Sequence, residues 1–273
     1  MSEFDPFAAE WVSYAKSPQY TLVEKCLKLS QVLEFPNLDI TEYVQKLRSF
    51  DQGLRDHVSE VKNPIYLVSM LNEYMFDILE FQGDSDDYYN PRNNFLNVVM
   101  DKRSGIPITL SIIYIEVAKA IGLELRPVGF PGHFLVKYSE ELILDPFNRG
   151  SLLDVEDLQD ILDATYGEGV EFEPEYLNDI EPEKILIRIL RNLKSSYTES
   201  FSYEKAMHCI NMVLGLDPNS PDEIRDKGII QIRLLQNDLA LSSLNKYLEL
   251  APEADDVDDI LEMIKSIKEK SSQ

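Results

Sequence analysis

Between Arg103 and Gly122 the chain reads RSGIPITLSIIYIEVAKAIG, and this stretch narrows the fold more than any other. Gly105 and Pro107 stop the preceding segment, and a long apolar helix follows with Thr109 near its mouth. After the helix the pattern changes. LELRPVGF, HFLVKY and LILDPF are short, β-rich and bounded by Gly or Pro, which predicts strands of an antiparallel sheet. Before it, residues 1–82 read as helices. In TLVEKCLKLSQVLEF, Leu22, Cys26, Leu29 and Leu33 fall on one face until Pro36 and Asn37 break the run. A second helix starts from Asp39 or Thr41 as N-cap, with Tyr43, Val44, Leu47 and Phe50 as its apolar positions. A third follows Pro64, with Leu67, Leu71, Tyr74 and Ile78 at helical spacing. QGDSDDYYNPRN reads as a loop and NFLNVVMDKR as a short helix.

The chain has 273 residues, of which 44 % are hydrophobic, enough for a sizeable core and two domains. Its formal net charge of −23 repels nucleic acid and acidic membranes, and no basic patch larger than Lys102–Arg103 offsets it. No apolar run approaches the roughly 18 residues that span a bilayer. The acidic opening MSEFDPFAAEWV lacks the basic start of a secretory signal, so a cytoplasmic protein is expected. Cys26 and Cys209, each in an apolar helical run, read as small buried hydrophobes.

The last ninety or so residues repeat. Asp217-Pro218 and Ala251-Pro252 end similar helices 34 residues apart. At that offset Ala206 matches Ala240, Ile210 matches Leu244 and Leu216 matches Leu250. This is the tetratricopeptide period. Leu190, Leu193 and Tyr197 fill the opening helix of one repeat, and Ile224 and Gly228 that of the next. Lys194 stands where Gly is usual and Gln231 where an aromatic is usual. DDVDDILEMIKSIKEK reads as a capping helix. Two repeats and a cap fall short of a free-standing solenoid, so this segment is expected to pack on the first domain. The expected domains are 1–165, a helical region with an α+β core; 166–183, an acidic linker; and 184–273, the repeats with a capping helix.

Three histidines are candidates for chemistry. His57 sits at a polar helix end and reads as exposed; His208 lies in the repeat beside Cys209, and neither has ligand spacing. His133 follows Pro131-Gly132 at the start of a strand, and Asp145 ends another strand twelve residues on. A hairpin through Ser139–Glu141, with Tyr138 opposite Leu142, sets these two side chains on one face as diagonal neighbours about 7–8 Å apart at Cβ. The carboxylate then fixes the imidazole tautomer and supports its charged form. A two-residue turn reverses the faces, and Asp145 then serves only as a turn residue before proline. The spacing leaves both arrangements open.

The run from Asn72 to Gly150 carries NxFLNxV, RxGIPITLS, PGHFLV and LDPF, and on these motifs it resembles the bacterial SirB-type family of transglutaminase-like proteins. The resemblance implies a papain-like α+β core followed by an all-α tetratricopeptide-like segment. It places His133 and Asp145 at the positions of a catalytic His and Asp, and Thr109 where relatives with a nucleophile carry Cys. A helix N-terminus brings a thiol's pKa into the useful range, whereas a threonine hydroxyl needs far stronger activation. Ser111 lies about 200° round the helix from Thr109, so both cannot face one His, and Ser111 reads as a packing hydroxyl. Asn94 and Asn97 either donate hydrogen bonds into the cleft or cap the helix that follows.

Three functions fit this pattern. One is a non-catalytic transglutaminase-like protein, a pseudoenzyme that binds a protein, peptide or small ligand. The second is an amide or ester hydrolase or acyl transferase using Thr109, His133 and Asp145. The third is a regulatory scaffold without pocket chemistry. No cofactor is implied: GIP, GFPG and NRG lack phosphate-loop spacing. DSDD and DDVDD lack the alternating ligands of a calcium loop, and no metal is expected.

Overall fold

The computed structural model describes residues 5–58 and 63–271; Met1–Phe4, part of the opening read as no secretory signal, lie outside the described residues. The chain divides into two compact units, one of residues 1–18 with 187–273 and one of residues 19–186. Helix α1 (Pro6–Lys16) opens the chain and belongs to the first of these units.

The 19–186 unit is α+β. Its helices α2 (Leu22–Leu33) and α3 (Ile40–His57) each begin on a side-chain cap. Thr21 and Glu24 form a reciprocal capping box on α2, and Asp39 accepts from the amides of Thr41 and Glu42 on α3. The buried face of α2 centres on Val23, Cys26, Leu27 and Leu29, rotated from the expected Leu22–Leu33 line. Helix α4 (Pro64–Asn72) does not continue regularly. Residues Glu73–Ile78 widen into a π-turn, which adds a residue to the turn and shifts the phase. Tyr74, Met75 and Phe76 are therefore buried together, and Ile78, expected inside, is 51 % exposed.

A two-stranded parallel pair, β1 (Gln82–Gly83) and β2 (Ser104–Gly105), brackets the short α5 (Leu96–Lys102). Helix α6 (Pro107–Ala118) buries every residue but Glu116, as a helix apolar on all sides must. The antiparallel sheet has order β3 (Arg126–Val128), β4 (Leu135–Ser139), β5 (Leu142–Asp145), β6 (Ser151–Leu153). Helix α7 (Val155–Tyr166) starts on Asp154 and covers the sheet with Leu158 and Leu162.

The acidic stretch 166–183 does not behave as a linker. Leu177 is buried with Val128, Phe130 and Leu135. Asp179 bridges to Val128 by backbone and pairs with Arg126 and with Lys137, whose side chain is 3 % exposed. A buried cation must be paired, and this stretch supplies Asp179 at 3.2 Å as one partner beside Glu140 at 2.8 Å.

The other unit holds α8 (Pro182–Glu199, of which residues 187 onward belong here), α9 (Tyr203–Leu216), α10 (Pro221–Arg233), α11 (Asn237–Leu250) and α12 (Val257–Ser271). Ala206, Ile210, Ala240 and Leu244 are fully buried, as the 34-residue pattern expects. The two departures from that pattern have physical reasons. Lys194 pairs with Glu223 at 2.9 Å and Asp226 at 2.6 Å on α10, and Gln231 accepts from Ser243 at 2.8 Å. Helix α1 packs on α9, where Val12 fills the space over Gly215. Asp5 caps α1 and also binds His208 at 2.7 Å and Asn211 at 3.1 Å. Among the described residues, no helix is long and apolar enough to cross a membrane.

Candidate functional site

The turn before β4 positions His133. Its amide donates to Phe130 O at 3.1 Å, with Pro131 second and Gly132 third at φ +72°, the residue order of a type II turn. His133 thus stands two residues before β4 rather than in it. The register follows the expected one at Val136–Leu144 and Lys137–Ile143. It then slips at a bulge, so Ser139 rather than Tyr138 lies opposite Leu142. The bulge absorbs the odd residue of a short turn and leaves the faces of the upstream residues unchanged.

His133 and Asp145 meet, with Nε2 at 2.8 Å from Oδ2. Asp145 is 1 % exposed and engages every neighbour that approaches it. Its Oδ1 accepts from the amides of Phe147 (2.9 Å) and Asn148 (3.4 Å), and its Oδ2 also accepts from Asn148 Nδ2 at 2.7 Å. The aspartate is therefore both a turn residue before proline and the partner of a histidine. With Nε2 engaged by Asp145, any proton exchange with a third group would pass through Nδ1.

Two participants escape a reading of spacing alone. Asn148 anchors the carboxylate, and the Phe147 ring lies edge-on to His133 with centroids 6.1 Å apart. The Asp-Pro-Phe-Asn run, a turn signature after a strand, was their only signal. From Phe147 an aromatic row runs through Tyr88 (5.9 Å) to Tyr89 (5.2 Å further), and Tyr89 is 73 % exposed.

Thr109 is fully buried in the first turn of α6. Its Oγ1 accepts from Ile106 N at 3.2 Å and lies 3.0 Å from Asn93 O and 3.1 Å from Ile106 O, to either of which it donates. Gly105 leaves the room: a Cβ there would sit 2.9 Å from Thr109 Oγ1. Ser111 is also fully buried, and its hydroxyl has no hydrogen-bond partner. Neither cysteine is exposed, and burial pushes the Cys26 thiol up to about 12, so it is not a reactive thiolate.

Neither asparagine caps α5 by a hydrogen bond; its N-cap is Phe95. Asn94 makes a long contact to Pro91 O (3.5 Å), and Asn97 lines a cavity that none of Thr109, His133 and Asp145 lines. His57 is half-buried rather than exposed, 3.5 Å from Glu73 and tilted over Tyr74. No cluster of three or more metal-ligating side chains is present among the described residues.

A papain-like arrangement of apolar helix, small antiparallel sheet and paired His and Asp, in a chain that also carries an all-α repeat unit, defines the class. Residues 41–191 match the model of the transglutaminase-like superfamily and residues 193–265 that of the tetratricopeptide repeat; the chain belongs to the transglutaminase-like superfamily. Within it, the chain is 38 % identical over 231 residues to a UPF0162 protein of Xylella fastidiosa, covering 82 % of each chain. It is 30 % identical over 176 residues to a UPF0162 protein of Vibrio cholerae, 63 % of this chain and 65 % of that one. A human protein, F-box only protein 21, is 28 % identical over 163 residues, 54 % of this chain and 24 % of its own length.

Proposed function

We propose that this is a non-catalytic transglutaminase-like protein of the cytoplasm, which binds a protein or peptide, with Thr109 at the nucleophile's position. The observation that carries the reading is the state of Thr109. Its hydroxyl is fully buried and already serves Ile106 and Asn93 as a cap on α6. A nucleophile must reach a substrate carbonyl and hand its proton to a base, and this oxygen is committed to neither. In this reading His133 and Asp145 hold the turn that carries Phe147, and the exposed end of the aromatic row offers a surface for an extended chain. The repeat unit supplies a second face for a partner. A cavity of about 340 Å³ there is lined by Lys194, Thr198, Asp226 and Ile230 on the opening helices of both repeats.

Incubating the full chain with a biotinylated fluorophosphonate and measuring its intact mass tests the assignment. No adduct is expected. A stoichiometric adduct that maps to Thr109 and disappears in Thr109→Ala would establish the hydrolase reading instead.

A further inference from the structure

The cavity lined by Asn97 measures about 610 Å³, within the range of small-ligand sites. The Glu34–Leu38 turn forms one wall, with Tyr43 beside it; Arg92, Asn97, Val98, Asp101 and Lys102 form the other. Three features separate it from an ordinary surface cleft. Arg92 and Lys102 carry no carboxylate partner among the described residues, although acids outnumber bases 49 to 26 in this chain. Asp101, by contrast, is already paired with Lys46 and accepts a hydrogen bond from the Tyr43 hydroxyl at 2.6 Å. Asn97 is 3 % exposed, and its Oδ1 has no hydrogen-bond partner, a state that buried amides avoid. Phe35, Leu38 and Val98 add apolar wall, with the Arg92 guanidinium stacked 5.9 Å from the Phe35 ring centre.

We propose that this cavity binds the C-terminal end of a peptide: a free carboxylate on an apolar last residue. Arg92 and Lys102 hold the carboxylate, the Asn97 carboxamide pairs with the last peptide group after a turn of its side chain, and Phe35, Leu38 and Val98 receive the apolar side chain. The ligand is a monoanion because Glu34, across the cavity from Arg92 and Lys102, repels a second negative charge. The site is independent of the His133–Asp145 pair, so it stands whether or not Thr109 is a nucleophile.

Titrating the full chain with acetyl-Ala-Ala-Leu, its C-terminal amide and inorganic phosphate, followed by amide chemical shifts, tests the proposal. The free acid is expected to shift residues 35–38 and 97–102, the amide to bind at least tenfold more weakly, and phosphate to leave them in place. Arg92→Gln with Lys102→Gln, both exposed changes, is expected to abolish the shifts while the remaining spectrum stays native. Equal binding of acid and amide, equal response to phosphate, no response to the acid, or a double variant that still binds would each overturn it.

Discussion

Substituting Thr109 separates a structural hydroxyl from a chemical one. In Thr109→Val the one methyl remains and a second methyl replaces the hydroxyl. The Ile106 amide then has no acceptor and Asn93 O no donor, both in a fully buried setting. Ile106 O keeps its bond from Leu110 N at 3.0 Å, so it adds nothing to the cost. Two stranded backbone groups, each costing about 1–3 kcal/mol with partial relaxation, give about 2–4 kcal/mol. Thr109→Ser keeps the oxygen and loses one buried methyl, about 1 kcal/mol. Urea unfolding resolves the difference. At a slope of roughly 2–3 kcal/mol per molar, Val lowers the midpoint by about 1 M and Ser by less than half of that. The 19–186 unit has no tryptophan, since the single one, Trp11, lies in the other unit, so tyrosine near-UV dichroism follows the transition. A valine variant as stable as the serine one would refute the capping role and reopen the case for a free hydroxyl.

Two further expectations follow from the packing. Burial raises the Asp5 carboxyl, but hydrogen bonds from His208, Ala8 N and Asn211 outweigh it and hold the group below its ordinary 3.8. A depressed carboxylate contributes stability that is complete above the unfolded value and is lost as pH falls through the folded one. The gap in melting temperature between wild type and Asp5→Asn, read from Trp11 fluorescence, is therefore expected to close as pH drops below about 4; a gap constant from pH 6 to 3 would refute the assignment. Gly150→Ala places a Cβ at φ +68° onto the Asn72 carboxamide, which bridges Tyr114 (2.6 Å) and Gly150 O (2.9 Å). Left-handed strain and overpacking together cost about 2–4 kcal/mol, and a thermal midpoint within 2 °C of wild type would count against that account.

Much of this fold is written in local pattern. Asp39 and Thr21 announce helix starts because a side-chain oxygen before a periodic run has one obvious use. The 34-residue spacing fixes Ala206 and Ala240 because each repeat packs the same way on its neighbour. The π-turn at Glu73–Ile78 was not legible, since a change of helical phase answers to tertiary packing and leaves no residue signature. Residues 166–183 looked like a linker because they lack basic residues; their partners, Arg126 and Lys137, lie forty residues or more earlier. The His133–Asp145 meeting was legible as one of two registers, and only the bulge beyond Lys137 decides between them. The burial of Thr109 depends on Asn93, which no spacing argument reaches.

Helix α1 and the repeats stand at opposite ends of the sequence yet share one unit. During synthesis, residues 19–186 emerge complete while α1 still waits for α9, so its apolar side, Trp11 included, lacks its partner until α9 arrives. The same arrangement sets a rule for dissecting the protein: a fragment beginning near residue 184 would lose not a tail but a wall, and only supplying residues 5–18 again, fused or added in trans, would restore it.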